Sequence, residues 1–230
     1  MDIQWLGHSA FRIEAAGKTI LVDPYFTGNP TFPEGAEDAI DRVDHILLTH
    51  GHEDHLGDTV RLAQTYGAEV VAVAELAYWL EAQGVEKRIA MNIGGTVTAN
   101  GLSFSMVQAI HSASVRRDGK PIYMGACAGF VIRAGDKSVY HAGDTDIFSD
   151  MALIQKIHQP RVGLIPIGGY FTMSASTAAM ACNDLLDLEV IVPMHFATFP
   201  VLAKNLQEFE GLVRRGTVKS LRPGETLNIP

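Results

Sequence analysis

The chain has 230 residues, 47% hydrophobic and 19% charged, which is enough to bury a full core. Its net charge of −8 argues against a general electrostatic footprint for nucleic acid, so no nucleic-acid partner is expected, and the absence of any run of 18 apolar residues excludes a helical membrane span. Two cysteines, Cys127 and Cys182, outside any C-x-x-C pair, are too few for a disulfide framework and read as buried thiols.

Met1 to Leu6 carries neither a basic cluster nor an apolar run long enough for secretion, so a soluble, cytoplasmic protein is expected. Strand-like runs follow one another at Ile3–Leu6, Ala10–Glu14 and Lys18–Val22, punctuated by Gly7 and Gly17. In the middle run Phe11 and Ile13 alternate with Arg12 and Glu14, as in a sheet with one wet face. After a Pro/Gly-rich loop from Pro24 to Gly35, strands alternate with helical patterns: Val43–Leu48 precedes Leu56, Val60 and Ala63, and Glu69–Ala74 precedes Leu76–Leu80.

A second series of strands covers Thr96–Thr98, Leu102–Ala109, Ala126–Arg133 and Lys137–His141, with turns at Asn100-Gly101 and Gly135-Asp136; Ser112–Gly125 reads as a loop. The last third returns to alternation: Val162–Ile167, a helix opening near Ser174 with Ala178, Cys182 and Leu185 on one face, Val190–Val192, and a helix carrying Leu206, Phe209 and Val213. No linker, low-complexity segment or like-charge block divides the chain, so one domain over residues 1–230 is expected. Each half would lay a sheet against helices. Stacking the two predicts an α/β fold, a four-layer αββα sandwich of two mixed sheets flanked by helices.

The chemistry concentrates in Thr49-His50-Gly51-His52-Glu53-Asp54-His55, where three imidazoles and a carboxylate crowd into six positions just after the apolar Ile46-Leu47-Leu48. In an extended loop His50 and His52 point the same way, while Asp54 and His55 begin a helix and reach a second point nearby. Four such groups crowd one tetrahedral ion, whereas two metals roughly 3.5–4 Å apart could share them with a bridging carboxylate. His111, Asp144 and His195 each follow a strand-like run, where side chains emerge at a sheet edge and can converge. The bland alternative is a polar loop whose Asp54 caps the following helix.

These landmarks resemble those of the metallo-β-lactamase superfamily: Asp23, the His50-x-His52-x-Asp54-His55 cluster, His111, Asp144 and His195, in that order. Trp5-Leu6-Gly7-His8-Ser9-Ala10-Phe11, Gly169-Tyr170-Phe171-Thr172-Met173 and Pro193-Met194-His195-Phe196-Ala197-Thr198-Phe199 resemble its small metal-dependent hydrolase branch, related to ascorbate-6-phosphate lactonase and N-acyl-phosphatidylethanolamine phospholipase D. The resemblance implies that His50, His52 and His111 hold one metal, that Asp54, His55 and His195 hold a second, and that Asp144 bridges them. Imidazole and carboxylate without thiolate suit zinc first, with manganese or iron as alternatives.

Two divalent ions, two carboxylates and a bridging hydroxide sum to roughly +1, an arrangement that holds a hydroxide near neutral pH and attracts a small anionic substrate. Hydrolysis of an ester, lactone or phosphoester is the expected reaction, with Asp54 or an acid such as His8 moving the proton. Asp23 reads as a carboxylate orienting a ligand imidazole. His8 and His141 could line the site or be satisfied buried imidazoles, and Thr145 and Tyr170 could donate to substrate or pack. Arg116, Arg117 and Lys120 form a basic loop that would grip a phosphate or carboxylate if it is more than a solvated face. Gly168-Gly169 suggests backbone passing close to the site, and Met173, Met180 and Met194 read as fillers.

Rival readings are a nuclease or phosphodiesterase acting on nucleic acid, a di-iron redox protein, and a non-catalytic metal-binding protein. The apolar Met194–Leu202 stretch suits either a pocket wall or a contact in a homo-oligomer.

Overall fold

The computed structural model describes residues 1–230. It opens with β1 (Asp2–Trp5), β2 (Phe11–Ala15) and β3 (Lys18–Val22), an antiparallel meander. In β2 Phe11, Ile13 and Ala15 are buried while Glu14 meets water, the two-residue period of a half-buried strand. Next come β4 (His45–Leu47), α1 (Glu53–Leu56), α2 (Thr59–Tyr66), β5 (Glu69–Val73), α3 (Ala74–Ala82) and β6 (Arg88–Met91). Strands β3 to β6 run parallel, and the crossovers between β4, β5 and β6 carry the helices. With a strand on each side and helices on the crossovers, Val70 to Val73 are buried without a break.

The second half begins with β7 (Thr96–Ala99) and β8 (Leu102–Gln108), followed by a detached hairpin, β9 (Ser114–Arg117) with β10 (Lys120–Tyr123). It continues through β11 (Ala128–Ala134), β12 (Lys137–His141), α4 (Met151–His158), β13 (Val162–Pro166), α5 (Ala175–Met180), β14 (Val190–Met194), α6 (Gln207–Leu212), β15 (Thr217–Val218) and β16 (Thr226–Asn228). β16 returns to pair with β1, so the sheets have the orders β16-β1-β2-β3-β4-β5-β6 and β15-β14-β13-β12-β11-β8-β7. Each is mixed, seven-stranded and flanked by helices, the layered arrangement expected from the alternation of elements. Sixty-two buried residues drawn from both sheets and their helices form one apolar cluster. No helix is long and apolar enough to cross a membrane.

Three departures from the expected elements have physical causes. The segment 112–125 is a hairpin, not a loop; Asp118 and Gly119 both take positive φ (50° and 73°), the turn that two-residue hairpins favour. Its flanks, Val115-Arg116-Arg117 and Lys120-Pro121-Ile122, are too polar to reveal an apolar period. Helix α5 opens at Ser174 through a reciprocal capping box with Thr177, as expected, but ends at Met180 and continues as a π-helical turn over Ala181–Leu185. Helix α4 carries no clear signal in the sequence: it buries only Met151 and Ile154 and leaves Leu153 and Ile157 in water, which blurs its apolar stripe.

This topology gathers loops at one end of both sheets. The chain leaves β3 into Asp23, β4 into Thr49–His55, β8 toward His111, β12 into Asp144 and β14 into His195. In open α/β sheets the carboxyl ends of parallel strands are where ligands are held.

Candidate metal centre

Strand β4 delivers Thr49, whose backbone N and Oγ1 donate to the two oxygens of Asp23 at 2.8 and 2.6 Å. Asp23, fully buried and in the left-handed backbone region (φ 46°), also accepts from His55 Nδ1 at 2.7 Å. Because Nδ1 of His55 gives its proton to Asp23, its Nε2 presents a lone pair. That atom lies 3.2 Å from Asp144 Oδ1, and neither atom has a hydrogen-bond partner. Two buried electron-rich atoms facing each other repel unless positive charge stands between them.

The same demand appears in the titration behaviour. Burial opposes charge on His55, yet Asp144 and Asp23 outweigh it and push the imidazole well above its usual range. Burial likewise opposes charge on Asp144, while His195 and His55 hold its carboxyl well below the usual range. A cation held there would take the place of that proton.

His50 is set in a similar way. Thr49 Oγ1 spends its single proton on Asp23, so it accepts from His50 Nδ1 at 3.0 Å, leaving His50 Nε2 free to face His52 Nδ1 at 2.9 Å. Burial pushes His50, His52 and His111 below the usual imidazole range, which keeps them in the neutral form that coordinates metals. Donor atoms of His50, His52 and His111 lie within 4.8 Å of one another, and so do those of His8, Asp54, His55 and His195, and those of His50, His55 and Asp144. Asp144 Oδ2 is 3.1 Å from His195 Nε2 and 3.6 Å from His111 Nε2, so one carboxylate touches both groups of imidazoles.

All seven residues singled out as ligands from the sequence therefore converge. The remaining candidates separate clearly. Asp54 caps no helix; its Oδ2 accepts from His8 Nε2 at 3.1 Å, and the helix N-cap, His52, makes no side-chain cap. His8 is fully buried at φ 53°, with Nδ1 2.7 Å from Thr198 Oγ1 and its ring 4.1 Å from that of His195. Burial pushes His8 down to about 4, so it is a neutral hydrogen-bonding imidazole at neutral pH.

His141 has both ring nitrogens committed, Nε2 to Ser9 O at 3.0 Å and Nδ1 to Gly143 N at 3.1 Å, so it braces the turn before Asp144 and has no atom left for metal or substrate. Thr145 is equally committed: its hydroxyl accepts from Ile110 N at 2.9 Å and donates to Asp146 O at 2.7 Å, tying the His111 loop to the Asp144 loop. Tyr170 is exposed and packs edge-on against Phe171, without a hydrogen bond to the site. Cys127 donates from Sγ to Asp144 O at 3.4 Å, and burial beside Asp144 pushes its thiol well above the ordinary range, so no thiolate joins the donor set.

Three supports escaped sequence reasoning. Thr49 and Thr198 orient His50 and His8; a hydroxyl residue beside a ligand is too common to signal that role. Asp58 accepts from Phe26 N, Thr27 N, Thr27 Oγ1 and Arg61, pinning the loop after Asp23 against α2. Gly57 permits that approach, since a Cβ there would lie 2.5 Å from Pro24 O. Gly168 has the expected close approach: a Cβ would stand 2.4 Å from His195 O and 2.9 Å from its Nδ1.

The donor set, five imidazoles with one buried and one half-buried carboxylate and with the unpaired His55 Nε2 facing the unpaired Asp144 Oδ1, fits divalent cations. Comparison with known proteins agrees with this chemistry. A family model described as Beta-lactamase superfamily domain matches residues 18–196. The chain is 48% identical over 234 residues to a protein of Chelativorans sp. (strain BNC1) described as a UPF0173 metal-dependent hydrolase, covering 100% of both. It is 36% identical to Igni18, a metallo hydrolase from the archaeon Ignicoccus hospitalis KIN4/I, with a TM-score of 0.85 and coverage of 98% of this chain and 97% of that one. CmlA, a diiron beta-hydroxylase from Streptomyces venezuelae, shares the fold at 18% identity and TM-score 0.79, covering 99% of this chain and 54% of its own.

Proposed function

The chain belongs to the metallo-β-lactamase superfamily and is a metal-dependent hydrolase, and from there we propose that it hydrolyses an ester, lactone or phosphoester bond of a small anionic substrate at a pair of divalent cations, zinc first among them. The observation that carries the reading is Asp144: a fully desolvated carboxylate contacting His55, His111 and His195. His50, His52 and His111 would hold one cation, Asp54, His55 and His195 the other, and Asp144 both. When bound, the pair supplies Lewis acidity and makes a water nucleophilic near neutral pH.

The protein's side chains do the rest. Asp23 and Thr49 lock His55 and His50 in the tautomers that present Nε2. His8, itself held by Thr198, fixes Asp54 Oδ2 and leaves Oδ1 to face the cation; although burial opposes its charge, the His8 hydrogen bond and His55 hold the Asp54 carboxyl well below the usual carboxylate range, so we assign Asp54 to ligation and not to carrying the water proton. Hydrolysis balances in this way: the water oxygen joins the acyl or phosphoryl centre, the bond to the leaving oxygen breaks, and one water proton ends on that oxygen. We assign His8 to orienting Asp54, since it is fully buried.

The test is a panel of chromogenic phosphodiester, lactone, thioester and β-lactam substrates, run on chelated protein reconstituted separately with Zn²⁺ and Mn²⁺. Turnover is expected for at least one ester, lactone or phosphodiester, lost on chelation and restored by Zn²⁺. No turnover of any substrate by fully metal-loaded protein contradicts the proposal.

A further inference from the structure

The β9–β10 hairpin stands beside the metal centre with two unlike faces. Its antiparallel register pairs Ser114 with Tyr123, Val115 with Ile122, Arg116 with Pro121 and Arg117 with Lys120, so Ser114, Arg116, Pro121 and Tyr123 share one face. The other face is anchored. Val115 is buried against the His50-Gly51-His52 loop, so close that a Cβ on Gly51 would lie 3.2 Å from its Cγ2. Arg117 sits 5.3 Å over the ring of Trp79 and hydrogen-bonds Gln83.

On the free face Ser114, Arg116 and Pro121 meet His52, Glu53, Asp54 and Phe171 around a cleft of about 430 Å³. Arg116 is the one cation lining it, and its side chain makes no ion pair and no hydrogen bond with any residue of the chain. Glu53, across the cleft, forms no ion pair with it. An uncommitted guanidinium beside two metal-site residues, in a chain of net charge −8, is a local charge set against the general field. Its planar fork matches a carboxylate or phosphate through two parallel hydrogen bonds.

We propose that Arg116 is a specificity-determining residue: it binds a second oxyanion, carboxylate or phosphate, that the substrate carries away from its scissile bond. The substrate class is thus an ester, lactone or phosphoester with a remote anionic group, its intervening part lying against Phe171, which is exposed at the cleft. This rests on the hydrolase reading above and narrows it.

The test uses metal-loaded protein and two p-nitrophenyl esters of matched length, the glutarate monoester and the neutral pentanoate. Wild type is expected to have the higher kcat/KM for the glutarate ester, and Arg116→Ala to lower the glutarate-to-pentanoate ratio by about 10- to 100-fold, the size of a lost charge-assisted hydrogen-bond pair. Arg116→Lys should keep part of the preference, and Arg117→Ala, bound to Trp79, should leave it unchanged. Calorimetric titration with glutarate and, separately, with inorganic phosphate should show binding weakened by a similar factor in Arg116→Ala, and the anion more affected identifies the group held. An unchanged ratio and unchanged binding in Arg116→Ala overturn the assignment of Arg116. Absence of turnover of both esters counts against the hydrolase reading alone, and the calorimetric arm then decides on Arg116.

Discussion

Asp144→Asn is expected to lower kcat/KM by about 10³-fold or more while leaving the fold intact. The substitution is close to isosteric, so the buried site keeps its packing, but it removes the single negative charge that faces His55 Nε2 at 3.2 Å, His195 Nε2 at 3.1 Å and His111 Nε2 at 3.6 Å. An amide offers one weaker oxygen, and its NH₂ turns a donor toward atoms that need a cation. Loss of a metal-centred clamp worth several kcal/mol corresponds to about three orders of magnitude in rate. Bound metal should fall in step. Elemental analysis beside steady-state kinetics checks both, with the circular dichroism melt showing that the protein remains folded. Activity within about tenfold of wild type would remove Asp144 from the centre of the mechanism.

Asp23→Ala should act on stability and metal affinity together. It strips the acceptor from three buried donors, Thr49 N, Thr49 Oγ1 and His55 Nδ1, each worth about 1–3 kcal/mol when left unsatisfied. Partial relaxation leaves an expected loss of roughly 3–5 kcal/mol in unfolding free energy. Freed from Asp23, His55 can rotate or change tautomer, which should weaken metal binding by about 10- to 100-fold. Asp23→Asn is the milder change, because Asn tolerates the left-handed backbone of this position (φ 46°) and its oxygen can still accept from Thr49 N, yet its NH₂ then faces both Thr49 Oγ1 and His55 Nδ1, which share Oδ2 of Asp23, and accepts from neither. It should lose less stability than Asp23→Ala, keeping the Thr49 N bond, and lose metal affinity to a similar extent. Urea denaturation and zinc titration against a competing chelator measure the two, and a stable Asp23→Ala protein with wild-type affinity would show that His55 is oriented by something else.

What was legible in the sequence follows from where the physics is local. The Thr49–His55 run could be read because its side chains meet within one loop, and His111, Asp144 and His195 because each sits just past a strand whose apolar pattern is plain. The β/α alternation disclosed the sandwich for the same reason: a period of two residues, or of 3.6, is written in neighbouring positions. Contacts between distant segments left no such mark. Nothing in the neighbourhood of His8 announces that Thr198 and Asp54 will take its two nitrogens, and the saturation of His141 by Ser9 O and Gly143 N depends on the stacking of the two sheets. The hairpin bearing Arg116 was hidden because its anchors, Gly51 and Trp79, lie far away in sequence, although Asp118-Gly119 carried the same turn signal as Asn100-Gly101.

Anomalous diffraction from crystals of the zinc-loaded protein tests the dinuclear reading most directly. Two peaks roughly 3.5–4 Å apart are expected, one against His50, His52 and His111, the other against Asp54, His55 and His195, with Asp144 reaching both. A single peak, or zinc bound elsewhere while these side chains hold one another, would contradict it.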